Sequence, residues 1–199
     1  MADPIAITDR LILRDWRPED RVTFMEHLNS PAVMGWLGGV QDNATYAAAF
    51  DRLDGYARDF GHTFWIVERR SDRDVLGFCG LKRVNSQGAK NPGDMEVGWR
   101  LREDAWGQGF AQEAAIASLD LAFGRFAAPH VVAFTVAGNV GSWRLMERLG
   151  MTRRRDLDYY DPRFGPDLNP TITYAIDVGA WPQARQRALA VNHFPRPAG

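Results

Sequence analysis

Several things are scarce in this 199-residue sequence. Cysteine occurs once, as Cys79, which excludes an intramolecular disulfide and any metal site built from several thiolates. Net charge is almost nil, −1 at pH 7, so the basic field of a typical nucleic-acid binder is missing. No apolar run reaches the length of a membrane span. The opening MADPIAITDRLILRDW carries Asp3 and Asp9 where a secretion signal would have a basic region and an unbroken apolar stretch. There is no repeat and no low-complexity tract. What remains is a chain that is 45% hydrophobic, long enough to bury a sizeable core without staples. The expectation is one cytoplasmic domain over 1–199, its tail at 192–199 frayed, with no nucleic acid, membrane or metal among its partners.

Periodicity gives a coarse map. Leu11, Ile12 and Leu13 suggest a first strand ending near Trp16. Pro18, Glu19 and Asp20 then form a helix-start signature, with proline in the first turn and acids at the positive dipole end. That helix is expected to run to about Asn29, where Ser30-Pro31 punctuates it. Tyr46, Ala49, Phe50, Leu53, Tyr56, Ala57 and Phe60 recur at helical spacing, and Gly61 closes a helix over 43–60. The period then changes to two: 62–70 and 75–84 read as a hairpin, and 95–101 as a third strand. A helix from Gly109 to Arg125, a strand at 131–136, a helix opened by Asn139 and a last strand at 171–177 complete the map. Strands with interposed helices indicate an α/β or α+β fold.

Two segments carry chemical potential. In EVGWRLREDAWGQGFAQEA (96–114) a strand leads into Gly107 and Gly109, just ahead of an alanine-rich helix. Unpaired N–H groups at a helix start bind anions, and glycine lets a phosphate approach the backbone. A tight strand–helix turn that binds nothing explains these glycines equally well. A P-loop is excluded by the missing Gly-Lys-Ser/Thr, and a Rossmann fingerprint by Gln112 at the third glycine position. No Gly-x-Ser-x-Gly or His-Glu-x-x-His occurs, and His27, His62, His130 and His193 are scattered. In FTVAGNVGSWRLMERLGM (134–151) a strand ends and Asn139 and Ser142 fall in the first turn of a helix. Taken alone, Asn139 reads as a helix cap.

Together the motifs resemble a known family, the GNAT-superfamily acyl-CoA N-acetyltransferases, in their RimJ/RimL-like branch. TDRLILRDWRPED matches the opening of that branch. WGQGFAQEA occupies its pyrophosphate loop, and NVGSWRLMERLGM is close to its Asn-x-x-Ser-x-Arg-x-x-Glu-x-Leu-Gly-Met signature. The resemblance extends from about Thr8 to Ile176. It implies a mixed, mostly antiparallel central sheet with flanking helices and a splayed strand pair that takes acyl-CoA.

It also implies roles. Backbone groups of Trp99, Arg100 and Leu101 would pair with the pantetheine arm as an added strand does. Amides of Gly107, Gln108, Gly109, Phe110, Ala111 and Gln112 would hold the pyrophosphate. Asn139 would bond the pantetheine or hold the neighbouring strand, and Ser142 would lie near the thioester sulfur. Trp106 replaces the Arg or Gln common at the first loop position, as is usual in this branch. Met146 stands where many members have a general-acid tyrosine, and methionine cannot donate a proton.

The implied reaction is direct attack of a neutral amine on the thioester of acetyl-CoA, with Glu96 as expected base and Ser142 as candidate proton donor. Asp158, Tyr159 and Tyr160, in the acidic and aromatic segment 156–167, are expected to meet a cationic acceptor. The first-choice acceptor is a protein N-terminal α-amine. An α-amine near 7.7–8.0 is far easier to neutralise than a lysine near 10.4. A small amine, or a non-catalytic acyl-CoA-binding module that lost turnover with the tyrosine, are the alternatives. A plain interaction domain leaves both cofactor motifs unexplained. A homodimer is left open. Cys79, mid-strand, is expected to be inert packing.

Overall fold

The computed structural model describes residues 4–191; the tail at 192–199, expected to fray, lies outside them. The chain begins with two short strands, β1 (Ala6–Ile7) and β2 (Leu11–Arg14). Helix α1 (Asp20–Leu28) follows the Pro18-Glu19-Asp20 signature. Ser30-Pro31 does more than punctuate it. Ser30 Oγ accepts a hydrogen bond from Val33 N–H at 3.2 Å, and Pro31 occupies the first turn of a further short helix, α2 (Pro31–Met34). Helix α3 (Asn43–Phe60) is capped at both ends, by Asp42 Oδ1 on Thr45 N–H at 2.7 Å and by left-handed Gly61.

The hairpin β3 (Phe64–Arg69) and β4 (Val75–Arg83) leads through a loop to β5 (Met95–Leu101). Then come helix α4 (Phe110–Gly124), β6 (His130–Val136), helix α5 (Val140–Arg148), β7 (Thr152–Arg153), β8 (Thr171–Asp177) and helix α6 (Trp181–Val191). The strands form one eight-stranded sheet in the order β1-β2-β3-β4-β5-β6-β8-β7. Every neighbouring pair is antiparallel except β5 and β6, which run parallel. That ladder holds two residue pairs, Met95 with Val131 and Glu96 with Val132. Beyond Glu96 each strand follows its other neighbour, β4 or β8, and the two diverge. The sheet opens there.

Helix α4 covers one face of the sheet. Its Ala114, Ala115, Leu119 and Ala122 are fully or nearly fully buried with Leu13, Leu81 and Val97 in the main core. The small side chains let the helix backbone approach the sheet closely, and Ser118 is tolerated there because its hydroxyl returns a bond to Ala114 C=O at 3.0 Å. Cys79 sits in this core with its thiol pushed up to about 12 by burial. It is no nucleophile at neutral pH.

Helices α1 and α3 cover the other face through an aromatic cluster in which Phe24 stacks on Phe78 at 5.4 Å and meets Phe50 edge-on at 5.5 Å. Beside it lies a buried ionic cluster. Arg14 bonds both carboxylate oxygens of Asp20 at 2.8 Å and Glu68 Oε2 at 2.7 Å. Among the described residues no helix is long and apolar enough to cross a membrane.

Candidate functional site

Strand alternation organises the site. Met95, Val97 and Leu101 point into the α4 core, whereas Glu96, Gly98 and Arg100 belong to the opposite face. The backbone alternates too. Asp94 C=O accepts from Val84 N–H at 2.9 Å, and Arg102 N–H donates to Leu76 C=O at 2.8 Å. Even-numbered positions therefore bond β4, and Trp99 and Leu101 face the open edge left by β6. Of the three residues expected to present backbone to pantetheine, Trp99 and Leu101 turn theirs to the open edge. Arg100 is the correction, because its peptide groups are turned to β4. Leu101 C=O accepts the Trp106 indole N–H at 2.8 Å, so its N–H is the group left toward the opening.

Where β5 and β6 part, a cavity of about 140 Å³ lies on the Glu96 face. Phe64 and Phe78 line it, with Gly98 beneath Phe64. A Cβ on Gly98 would come within 2.9 Å of that ring, so glycine keeps the strand and ring in contact. Ser142 and Met146 of α5, Phe134 of β6 and Leu37 of the loop after α2 complete the walls.

Glu96 is 9% exposed. Its cross-strand neighbour Lys82 brings Nζ to 2.8 Å from Oε2, near enough to attract but not aligned as a hydrogen bond. Burial raises the Glu96 carboxyl above the ordinary carboxylate range, against the opposing pull of Lys82 and Arg163. A buried carboxylate on a cavity wall with a raised pKa is a stronger proton acceptor than an ordinary carboxylate.

The loop after β5 carries Gly107 and Gly109 in left-handed conformations, φ 73° and 78°, which glycine adopts without steric cost. Helix α4 starts directly after it. The first bond of the helix runs from Glu113 N–H to Gly109 C=O, so the N–H groups of Phe110, Ala111 and Gln112 have no intrahelical partner. Glu113 fixes this end of the helix by accepting from Thr8 Oγ1 at 2.6 Å, Arg10 N–H at 2.8 Å and Arg10 Nε at 2.7 Å. Arg10 also donates to Gln108 C=O at 3.0 Å. The Thr-Asp-Arg opening thus anchors the loop. The Gln112 side chain is engaged elsewhere, bonding Ala188 C=O at 2.9 Å and Arg148 at 3.0 Å.

Asn139 caps α5, its Oδ1 accepting from Ser142 N–H at 3.3 Å, and so sets the turn that places Ser142 on the cavity. Met146, 1% exposed, fills the position expected of a tyrosine with an apolar wall. Glu147 accepts from Tyr174 Oη at 3.3 Å.

The structure does not bring Asp158, Tyr159 and Tyr160 onto the cavity wall. Both oxygens of Asp158 are held by Arg153, at 2.6 and 2.5 Å, and one also accepts from Thr173 N–H at 3.0 Å. Tyr159 is buried in a bridge to Thr171, with Phe134 edge-on to it at 5.5 Å. Tyr160 is exposed. The residues that the sequence reading missed include Leu37, Phe64, Phe78, Phe134 and the side chain of Arg100. The last was detectable, being in phase with Glu96 along a strand of period two. A larger open depression near His27, Arg102 and Asp104 offers little chemistry, since Arg102 and Asp104 satisfy each other at 2.6 Å. Among the described residues no cluster of His, Cys, Asp and Glu is arranged to hold a metal ion.

A divided parallel strand pair with a glycine loop and helix start at its mouth is the architecture of an acyl-CoA acetyltransferase, and comparison with known proteins agrees. Residues 10–152 match the family model of the acetyltransferase (GNAT) domain. YkkB of Bacillus subtilis (strain 168) is 32% identical over 146 residues, covering 73% of this chain and 83% of its own length. The uncharacterized N-acetyltransferase YoaA of the same organism is 24% identical over 87% of this chain and 96% of its own. Among solved structures, the acetyltransferase from Agrobacterium tumefaciens str. C58 superposes with a TM-score of 0.75 at 25% identity, over 88% of this chain and 95% of that one. Mycobacterium smegmatis RimJ, solved in complex with CoA-disulfide, shares the fold with a TM-score of 0.70 at 17% identity, over 91% of this chain and 88% of its own. The chain belongs to the GNAT acetyltransferase family. It is an acetyltransferase enzyme whose acceptor is an amine and whose fold uses acetyl-CoA.

Proposed function

We propose that the enzyme transfers an acetyl group from acetyl-CoA directly to a primary amine held in the cavity between β5 and β6, with Glu96 as the base. The observation that carries this reading is the buried Glu96 carboxyl on the wall of a cavity at the divergence of the two strands. Acetyl-CoA supplies the acetyl group activated as a thioester. The N–H groups of Gly107 to Gln112 hold the pyrophosphate, and the open β5 edge at Trp99 and Leu101 takes the pantetheine. Glu96 accepts the proton lost by the amine as the N–C bond forms, directly or through one water. The Trp99 strand edge donates to the acetyl oxygen as negative charge develops there. Ser142 donates at the departing sulfur, since Met146 has no proton to give.

A protein N-terminal α-amine, the acceptor implied by the RimJ/RimL-like resemblance, would enter by its first residue only. A small amine enters whole. A cavity of about 140 Å³ favours the small amine, and either acceptor arrives most easily as an amine that is partly neutral at pH 7.

Free-thiol release from acetyl-CoA, measured across small amines and peptides with different N-terminal residues, tests the proposal. Release that depends on one acceptor class is the expected result. Acetyl-CoA binding with no acceptor-dependent release across the panel contradicts turnover and favours a non-catalytic acyl-CoA-binding module. Failure to bind acetyl-CoA overturns the reading entirely.

A further inference from the structure

Most of the arginines that this fold buries or half-buries are matched to carboxylates. Arg14 has Asp20 and Glu68, Arg153 has Asp158, and Arg102 has Asp74 and Asp104. Arg100 differs. Among the described residues no carboxylate lies within ion-pair distance of its guanidinium. Its polar contact is with Tyr46 Oη at 3.4 Å, a hydroxyl that itself donates to Leu28 C=O at 3.1 Å. The guanidinium lies over the Phe78 ring, 5.2 Å from its centroid. Its Nε is buried without a hydrogen-bond partner, and burial works against its charge. A half-buried cation with no carboxylate beside it and a buried, unbonded Nε is costly unless something brings an anion to it.

The location shows where that anion would come from. Arg100 lines the same cavity as Glu96 and Ser142. Arg100 lies four positions from Glu96 on one face of β5, roughly 13 Å between Cα atoms, and Gly98 between them adds no side chain of its own, the Phe64 ring packing directly over it. Phe64 and Phe78 give the intervening space an apolar lining. One end of the cavity is built to take a proton and the other to take a negative charge.

We infer that the acceptor is a small primary amine bearing an anionic group, a carboxylate or a phosphate, a few bonds from its nitrogen, with the anion held by the Arg100 guanidinium and the amine turned toward Glu96. This rests on the reading of the cavity as the acceptor site. It extends that reading from any primary amine to a charged class. Both anions match the planar fork of arginine, and the two sources are separable by experiment.

The test is calorimetric titration of the protein, with and without CoA, using matched pairs: 4-aminobutyrate against butylamine, and 2-aminoethyl phosphate against ethanolamine. In at least one pair the anionic member should bind about 10-fold or more tightly, the size of one charge-assisted hydrogen bond. The pair with the larger ratio identifies the anion. Arg100→Met should bring that ratio to about one. Arg100→Lys should restore part of it, since lysine keeps the charge but loses the fork. If Arg100→Met does not fold, the fall in ratio in Arg100→Lys carries the comparison. Equal binding within both pairs in the unaltered protein overturns the inference, as does a preference that persists in Arg100→Met. Failure of CoA itself to bind would instead count against the acetyltransferase site, and the titrations without CoA would still decide the role of Arg100.

Discussion

Replacing Glu96 by glutamine should lower kcat/KM for the amine acceptor by about 10²–10⁴-fold, the usual contribution of a positioned general base. The side chain keeps its size, so the effect isolates proton acceptance. The pH profile should change as well, and its sign follows from the environment. Burial raises the Glu96 carboxyl above the ordinary carboxylate range. The base is therefore present above that raised value and lost as pH falls through it, giving an acid limb displaced toward neutrality. In Glu96→Gln this limb should vanish, leaving a low rate that rises with the neutral fraction of the amine. An unchanged profile in the variant would remove Glu96 from the chemistry. Acetyl-CoA affinity, measured separately, distinguishes a lost base from a distorted site, because the pyrophosphate loop lies beyond the other end of β5.

The second large effect concerns the scaffold. Arg14→Met should destabilise the protein by about 3–5 kcal/mol, because it leaves two buried carboxylates without their cation. Asp20 and Glu68 are each no more than 3% exposed and converge on this one guanidinium. Arg73 reaches Glu68 at 2.5 Å from the surface side and can offset only part of the loss. For a chain of this length the melting temperature should fall by about 6–20 °C. A fall of less than about 2 °C would mean that the carboxylates find other partners or water. The cluster ties β2, β3 and α1 together, one strand away from the β4–β5 pair that carries the site.

The sequence was legible wherever a period ran for several residues. The α3 helix over 43–60, the hairpin and β5 follow their patterns to within two residues. Two-residue strands such as β1 and β7 have no period to read. Helix α6 was missed because its buried stripe of Trp181, Ala184 and Ala188 is short and mostly small. It is fixed by distant partners, the Trp181 indole on Asp120 at 2.9 Å and Gln112 on Ala188 C=O. Ser30-Pro31 was ambiguous for a different reason, since the same dipeptide can end one helix and begin the next.

Within the site, glycine placement and the Asn139–Ser142 turn could be read locally. The aromatic wall could not, because Phe64, Phe78 and Leu37 meet only through sheet pairing and loop closure. The segment 156–167 shows the limit of composition. Its acids and aromatics suggested a cationic acceptor, yet Asp158 and Asp156 are engaged by Arg153 and Arg154. Arg100, without such a neighbour, gives the cavity its positive end instead.

The most direct test of the central claim is a crystal structure of the protein with CoA. The pyrophosphate is expected on the backbone amides of Gly107 to Gln112, with the pantetheine along the open edge of β5 at Trp99 and Leu101 and the thiol between Ser142 and the Glu96 cavity. CoA bound elsewhere, or bound with its thiol remote from that cavity, would contradict the assignment of the divergence between β5 and β6 as the site of acetyl transfer.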